Sequence, residues 1–214
     1  MRTAMLISAL LLTLSFSAHA AETETCCGAI SVRGVQLAEQ LQNSGVERLW
    51  LAGKHVDWES GEPDQGDKPA KSHCSAFAAA FAKKRDVYLL RPPQHSQVLL
   101  ASAQVVWLQS DAARTVGWRA VADARAAQTL ANQGQLVVAG FQSPDPHKPG
   151  HIAIVRPAEL SEQDLQQNGP RLTQAGQKNY LSVNARIAFR YHAGAWPDGI
   201  RYFAFEDTIA PSSP

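Results

Sequence analysis

Ser72-His73-Cys74-Ser75-Ala76-Phe77-Ala78-Ala79-Ala80-Phe81-Ala82-Lys83-Lys84 is the segment on which the reading of this chain turns, together with His151-Ile152-Ala153-Ile154-Val155 further on. The first is rich in alanine, the best helix former, and sets Phe77 and Phe81 one turn apart with lysines at its far end, where cations suit the helix dipole. It predicts a helix. Ser72 is the expected N-cap, which puts Cys74 in the first turn. The second segment is short and β-branched and follows Ser143-Pro144-Asp145-Pro146-His147-Lys148-Pro149-Gly150, a run of turn formers. It predicts a strand opened by His151.

Outward from these two segments the pattern changes from helix to strand. Val35, Leu37, Leu41 and Val46 give residues 34–51 one apolar face, ended by Gly45. Residues 57–71 are dense in Gly, Pro, Asp, Glu and Lys and read as a surface loop leading into Cys74. After Pro92-Pro93, residues 94–109 and 119–133 predict two further helices, the second closing at Asn132-Gln133-Gly134. Residues 135–141 and 151–155 predict two strands of an antiparallel hairpin, and Leu172 to Gln174, Ile187 to Tyr191 and Ile200 to Phe205 are further strand candidates. Helices first and strands later predict an α+β domain, with the Cys74 helix packed on a C-terminal antiparallel sheet.

A thiol is a nucleophile only as its thiolate, and a helix N-terminus favours the thiolate through unpaired N–H groups and the positive end of the dipole. A nearby imidazole would take the proton and later return it to a leaving amine. His151, opening a strand beside a loop, is the expected base among the seven histidines. A third group usually orients such a histidine; Gln174 is the first candidate and Asn179 the second. Alternatively, Cys74 could be a small buried hydrophobe and His151 an ordinary strand-start histidine. The backbone N–H of Cys74 and one donor from the preceding loop would meet an oxyanion.

Ser72-His73-Cys74-Ser75-Ala76-Phe77 opening a helix, followed by Gly150-His151-Ile152-Ala153-Ile154-Val155 on a strand, resembles the NlpC-type and CHAP-type branch of papain-like cysteine hydrolases. The likeness covers roughly residues 70–180, and His73 stands where part of that group has Asp. It implies a papain-like fold with Cys74 as nucleophile, His151 as base and a polar residue on the third strand, Gln174 first and Asn179 second. It also implies a thiol peptidase or amidase that cuts amide bonds of peptidoglycan, with a cell-wall peptide as substrate and no cofactor. A non-catalytic wall-binding or inhibitory module on the same fold is the alternative. A toxin aimed at other bacteria is a third reading, and would need an inhibitor or immunity protein.

The N-terminus sets the compartment. Arg2, an apolar run from Ala4 to Phe16 and Ala18-His19-Ala20 form a signal-peptide pattern, with cleavage after Ala20 and a single domain at residues 21–214. The run is shorter than the roughly 20 residues needed to span a bilayer, so no membrane span is expected after processing. The expected location is periplasmic or secreted. Three cysteines leave at least one without an intrachain partner, and adjacent Cys26 and Cys27 are either a disulfide or two free thiols. A formal charge of +1, removed with Arg2, argues against nucleic acid. His147 and His151 have the spacing of a helical zinc pair, but Pro146, Pro149 and Gly150 exclude a helix there, so no metal is expected. Phe189, Tyr191, Trp196, Tyr202 and Phe203 are expected mainly to finish a core.

Overall fold

A computed structural model describes residues 25–66 and 72–206. The expected signal segment and residues 67–71 of the polar loop lie outside the described residues. The architecture is mixed helix and antiparallel sheet. In chain order it runs β1 (Thr25–Cys26), α1 (Val32–Gln42), α2 (Cys74–Lys83), α3 (Leu100–Leu108), α4 (Asp111–Thr115), β2 (Trp118–Val121) and α5 (Ala124–Asn132). There follow β3 (Val137–Phe141), β4 (His151–Val155), β5 (Leu160–Ser161), α6 (Glu162–Asn168), β6 (Arg171–Gln174), β7 (Tyr180–Asn184), α7 (Ala185–Ala188) and β8 (Arg201–Phe205). Among the described residues no helix is long and apolar enough to cross a membrane.

The main sheet has the order β2-β8-β3-β4-β6-β7, with every neighbouring pair antiparallel. β3 and β4 form the expected hairpin, in the register that sets Phe141 opposite His151. Both strands are buried along their whole length because helices cover both faces of the sheet. Ile152 and Ile154 face one core, with Phe77, Phe81 and Trp50. Ala153 and Val155 face the other, with Phe189, Tyr202 and Ala127. Burying a side chain of the Phe77 kind stabilises by about 1.5–3 kcal/mol. Trp50 meets Phe77 edge-on, with ring centroids 5.2 Å apart.

Helix α2 lies where expected, and every residue from Cys74 to Ala82 is buried. Its cap is a correction. His73, not Ser72, is the N-cap residue, and it makes no side-chain capping bond because its Nε2 donates to the Lys54 carbonyl at 3.0 Å. Gln104 of α3 donates to the carbonyls of Ser75 and Leu90, at 3.0 and 2.9 Å, and so ties the start of α2 to the next helix.

Three segments differ from expectation, each for a local reason. Residues 118–121 are a strand: Gly117 at φ +108° turns the chain after α4, and the Asp123 carboxylate caps a new helix by accepting from the Ala126 N–H at 2.8 Å. The 94–109 helix forms only from Leu100, with Leu99 at φ +55° breaking it. Ile187 to Tyr191, expected as a strand, instead continues from a helical turn at Ala185–Ala188, because Asn184 caps the Ile187 N–H at 2.9 Å; the strand is the preceding Tyr180–Asn184.

Cys26 and Cys27 form a disulfide packed against Leu160 and Leu165, which leaves Cys74 as the free cysteine. Asn132 anchors this corner, its Nδ2 donating to the Gly28 and Ala158 carbonyls at 3.0 and 3.1 Å.

The start of β4 is fixed by contact. Gly150 donates its N–H to Ser102 Oγ at 3.0 Å, and a Cβ there would lie 2.2 Å from the Phe141 carbonyl oxygen. That oxygen belongs to paired β3 and cannot retreat freely. Gly150→Ala is therefore expected to destabilise by about 1–3 kcal/mol in urea unfolding; an unchanged midpoint would show that the strand start is free to relax.

Candidate active site

Cys74 and His151 reach the same strand end from opposite faces of the sheet. Helix α2 lies on the Ile152 and Ile154 face, and its first turn sets the Cys74 thiol against the backbone N–H of Ile152, the residue that follows His151. The N–H groups of Cys74 and Ser75 and the Ser72 hydroxyl also approach the sulfur. Ser72 thus serves the thiol instead of capping the helix.

The His151 ring projects to the other face. Its Nε2 lies 2.7 Å from Gln174 Oε1, and the Gln174 Nε2 donates to the Lys178 carbonyl at 3.3 Å. The amide is therefore oriented with its oxygen toward the imidazole, so Nε2 carries the proton and donates. Nδ1 keeps its lone pair. Phe189 meets the ring edge-on at 4.8 Å, and His192 stacks on it at 4.9 Å with planes 18° apart. Gln174 is the hydrogen-bond partner that the structure shows for His151; among the described residues Cys74 makes no direct bond to it.

Of the two candidates for the third position, Gln174 reaches the histidine and Asn179 does not. Asn179 is a clamp: its Nδ2 donates to the carbonyls of Val46, Leu49 and Trp50 at 2.6, 2.8 and 3.4 Å, and its Oδ1 accepts from the Gly176 N–H at 3.1 Å. It holds the loop before Trp50 against the loop that carries Gln174 out of β6.

Burial dominates the electrostatics. It pushes the Cys74 thiol up from its ordinary value, outweighing the N–H groups and the hydroxyl that favour the thiolate. It also pushes His151 down to about 4, against the opposing effect of the Gln174 carbonyl. His192 is likewise pushed down to about 4, by burial and by its neighbour His151. Near neutral pH the pair rests as thiol and neutral imidazole. Cys74 is 4% exposed and His151 2%.

A cleft of about 80 Å³ opens over the histidine, lined by Ser72, His151, Gln174, Tyr180, Arg190 and His192 among others. Ser72 links it to the thiol. A larger cleft of about 650 Å³, lined by Asp123, Arg125, Trp196 and Tyr202, contains neither Cys74 nor His151.

His192 and Phe189 were not legible as site residues in the sequence. Phe189 falls in the expected aromatic core, with Tyr202 and Phe203, whereas Tyr191 is 60% exposed. The nearest signal for His192 is its position four residues past a helical turn, which has no periodicity. His147 and His151 do not come together as ligands, and no group of three or more His, Cys, Asp or Glu among the described residues is placed to hold a metal.

Compared with known proteins, the sequence matches no family model and none of the curated proteins.

Two outcomes follow from this geometry. Asn179→Ala should cost roughly 2–3 kcal/mol in denaturant, since it strands carbonyls that now have a donor. Gln174→Ala should cost less and yet shift the His151 titration further down, as read by NMR. Equal effects of the two on the His151 titration would sink the separation of roles.

The second outcome is a two-sided pH window. The folded values of His151 and His192, about 4, lie below the ordinary 6.5, so the unfolded chain takes up protons first and stability falls as pH drops from 6.5 toward 4. The Cys74 value is raised, so the unfolded chain loses its proton first and stability falls as pH rises past the ordinary 9.0. Calorimetric melting temperatures should be highest between these limits, with a shallower acid limb in His192→Ala.

Proposed function

We propose that this protein is an exported papain-like cysteine hydrolase of the NlpC or CHAP type, which cleaves amide bonds of peptidoglycan by acyl transfer through Cys74. The single observation that carries the reading is the meeting of three elements at one strand end. A cysteine in the first turn of a helix rests against the strand that His151 opens, and Gln174 on the next strand orients His151 through Nε2.

The chemistry then runs as follows. His151 Nδ1 takes the thiol proton as Sγ attacks the substrate carbonyl carbon, forming a C–S bond. The imidazolium, its Nε2–H held by Gln174, returns the proton to the leaving nitrogen as the C–N bond breaks. Water, deprotonated by the same nitrogen, opens the thioester and frees the carboxylic acid and the thiol. The Cys74 N–H faces the developing oxyanion; a second donor is assigned to the preceding loop. The raised thiol and depressed imidazole values imply that proton transfer accompanies substrate binding rather than preceding it, because expelling water and adding a polar substrate changes what burial now disfavours.

One observation favours a second reading. The Cys74 side chain is almost wholly buried and does not line the cleft, as suits a non-catalytic wall-binding module on the same fold.

Digestion of purified peptidoglycan separates the two. Wild type should release fragments identifiable by mass spectrometry, Cys74→Ala and His151→Ala should release none, and Gln174→Ala should be slower by about ten- to a hundredfold. No fragments from a folded wild type with its thiol reduced would overturn the hydrolase.

A further inference from the structure

The charges around the small cleft are of one sign. Its charged lining residues are Lys178 and Arg190. A second depression of about 420 Å³ adjoins it, sharing Arg190 and His192, and adds Arg186. Among the described residues no carboxylate lines either one. Acidic side chains are nearly as frequent in the chain as basic ones, 19 against 20, so three cations with no carboxylate among the described lining residues are a local arrangement rather than a reflection of composition.

Among the described residues the ion pairs join Lys83 to Glu59, Arg114 to Asp111, Arg119 to Glu206, Arg125 to Glu162, Arg171 to Asp164, Lys148 to Asp145 and His55 to Asp64. None includes Lys178, Arg186 or Arg190. The cations are steadied by aromatic rings that leave their charge intact. Lys178 Nζ sits 5.2 Å from the Tyr180 ring centroid, and Arg190 lies 4.5 Å over Tyr191 while donating to its hydroxyl at 2.6 Å. Tyr180 and Tyr191 are themselves cleft residues. Such contacts orient a cation toward the cleft at little cost to its ability to bind an anion.

From this we infer that Lys178 and Arg190, with Arg186 beyond them, form a carboxylate-binding subsite that selects acidic peptides for cleavage at the His151 cleft. The inference rests on the hydrolase reading and names the class of its substrate. Lys178 offers a point charge and Arg190 a planar fork suited to a carboxylate. The two come from separate segments, Lys178 from the loop after β6 and Arg190 from just past α7. A substrate carboxylate between them would place its neighbouring amide over His151 and Ser72.

The test uses the tripeptide L-Ala-γ-D-Glu-L-Lys and its twin in which the glutamyl α-carboxylate is a carboxamide. Binding is measured by calorimetry on Cys74→Ala, which does not turn over, and cleavage separately on the wild-type protein. The acidic peptide should bind about tenfold more tightly than the amide. The preference should fall below about twofold when Lys178→Ala and Arg190→Ala are added together, and should shrink as salt is raised. Both side chains are exposed, so the double variant is expected to melt with the parent; Arg190→Lys alone should keep part of the preference. Equal binding of the two peptides, binding of neither, or a preference that survives the double variant would overturn the subsite. Cleavage of both peptides at equal rates would overturn it while sparing the hydrolase. Selective binding of the acidic peptide without cleavage of either would sustain the subsite and count against the hydrolase.

Discussion

The contact between the alanine face of α2 and the start of β4 governs the rest of the molecule. Ala76, Ala78, Ala79, Ala80 and Ala82 are each no more than 1% exposed, and their small side chains let the helix approach the sheet closely. Close approach brings the first-turn N–H groups of the helix and the N–H of Ile152 to the same sulfur. A larger residue in this row would lift the helix off the strand, and the thiol would leave the strand end on which His151 depends. Gln104 reinforces the arrangement from α3 by satisfying the Ser75 carbonyl, and Gly150 does so from the strand side by allowing Phe141 and Ser102 to close on it.

The second face of the sheet carries the other half of the site. Phe189 and His192 frame the imidazole, and Gln174 fixes its tautomer, so the ring is held by packing and by one directed bond together. The same enclosure disfavours both charged forms, which keeps thiol and imidazole neutral at rest. In an oxidising compartment such shielding would protect a reduced thiol, since oxidation follows thiolate character and exposure. Cys26 and Cys27, joined to each other and buried beside Leu160, make no claim on it.

Asn179 and Gln174 show how two amides five residues apart come to different tasks. Both are polar residues at the exit of β6, and nothing in their sequence spacing separates them. The strand pairs with β4 through Thr173 opposite Ile154, which brings Gln174 alongside the His151 ring. Asn179 has passed the turn by then, and meets the chain before Trp50.

By itself the sequence determined the Cys74 helix, the strand opened by His151, the hairpin of β3 and β4 and the mixed helix and sheet class. Each of these follows from local propensity and periodicity, which depend only on neighbouring residues. It left residues 118–121 and 187–191 misassigned, because a positive-φ glycine and side-chain caps at Asp123 and Asn184 outweigh short apolar patterns there. Tertiary structure alone decided that Gln174 and not Asn179 meets the histidine, that His192 stacks on it, and that Lys178 and Arg190 face one cleft. Those relations join residues brought together by strand pairing and by the turn after β6, and register across a sheet is a property of the whole fold rather than of any one segment.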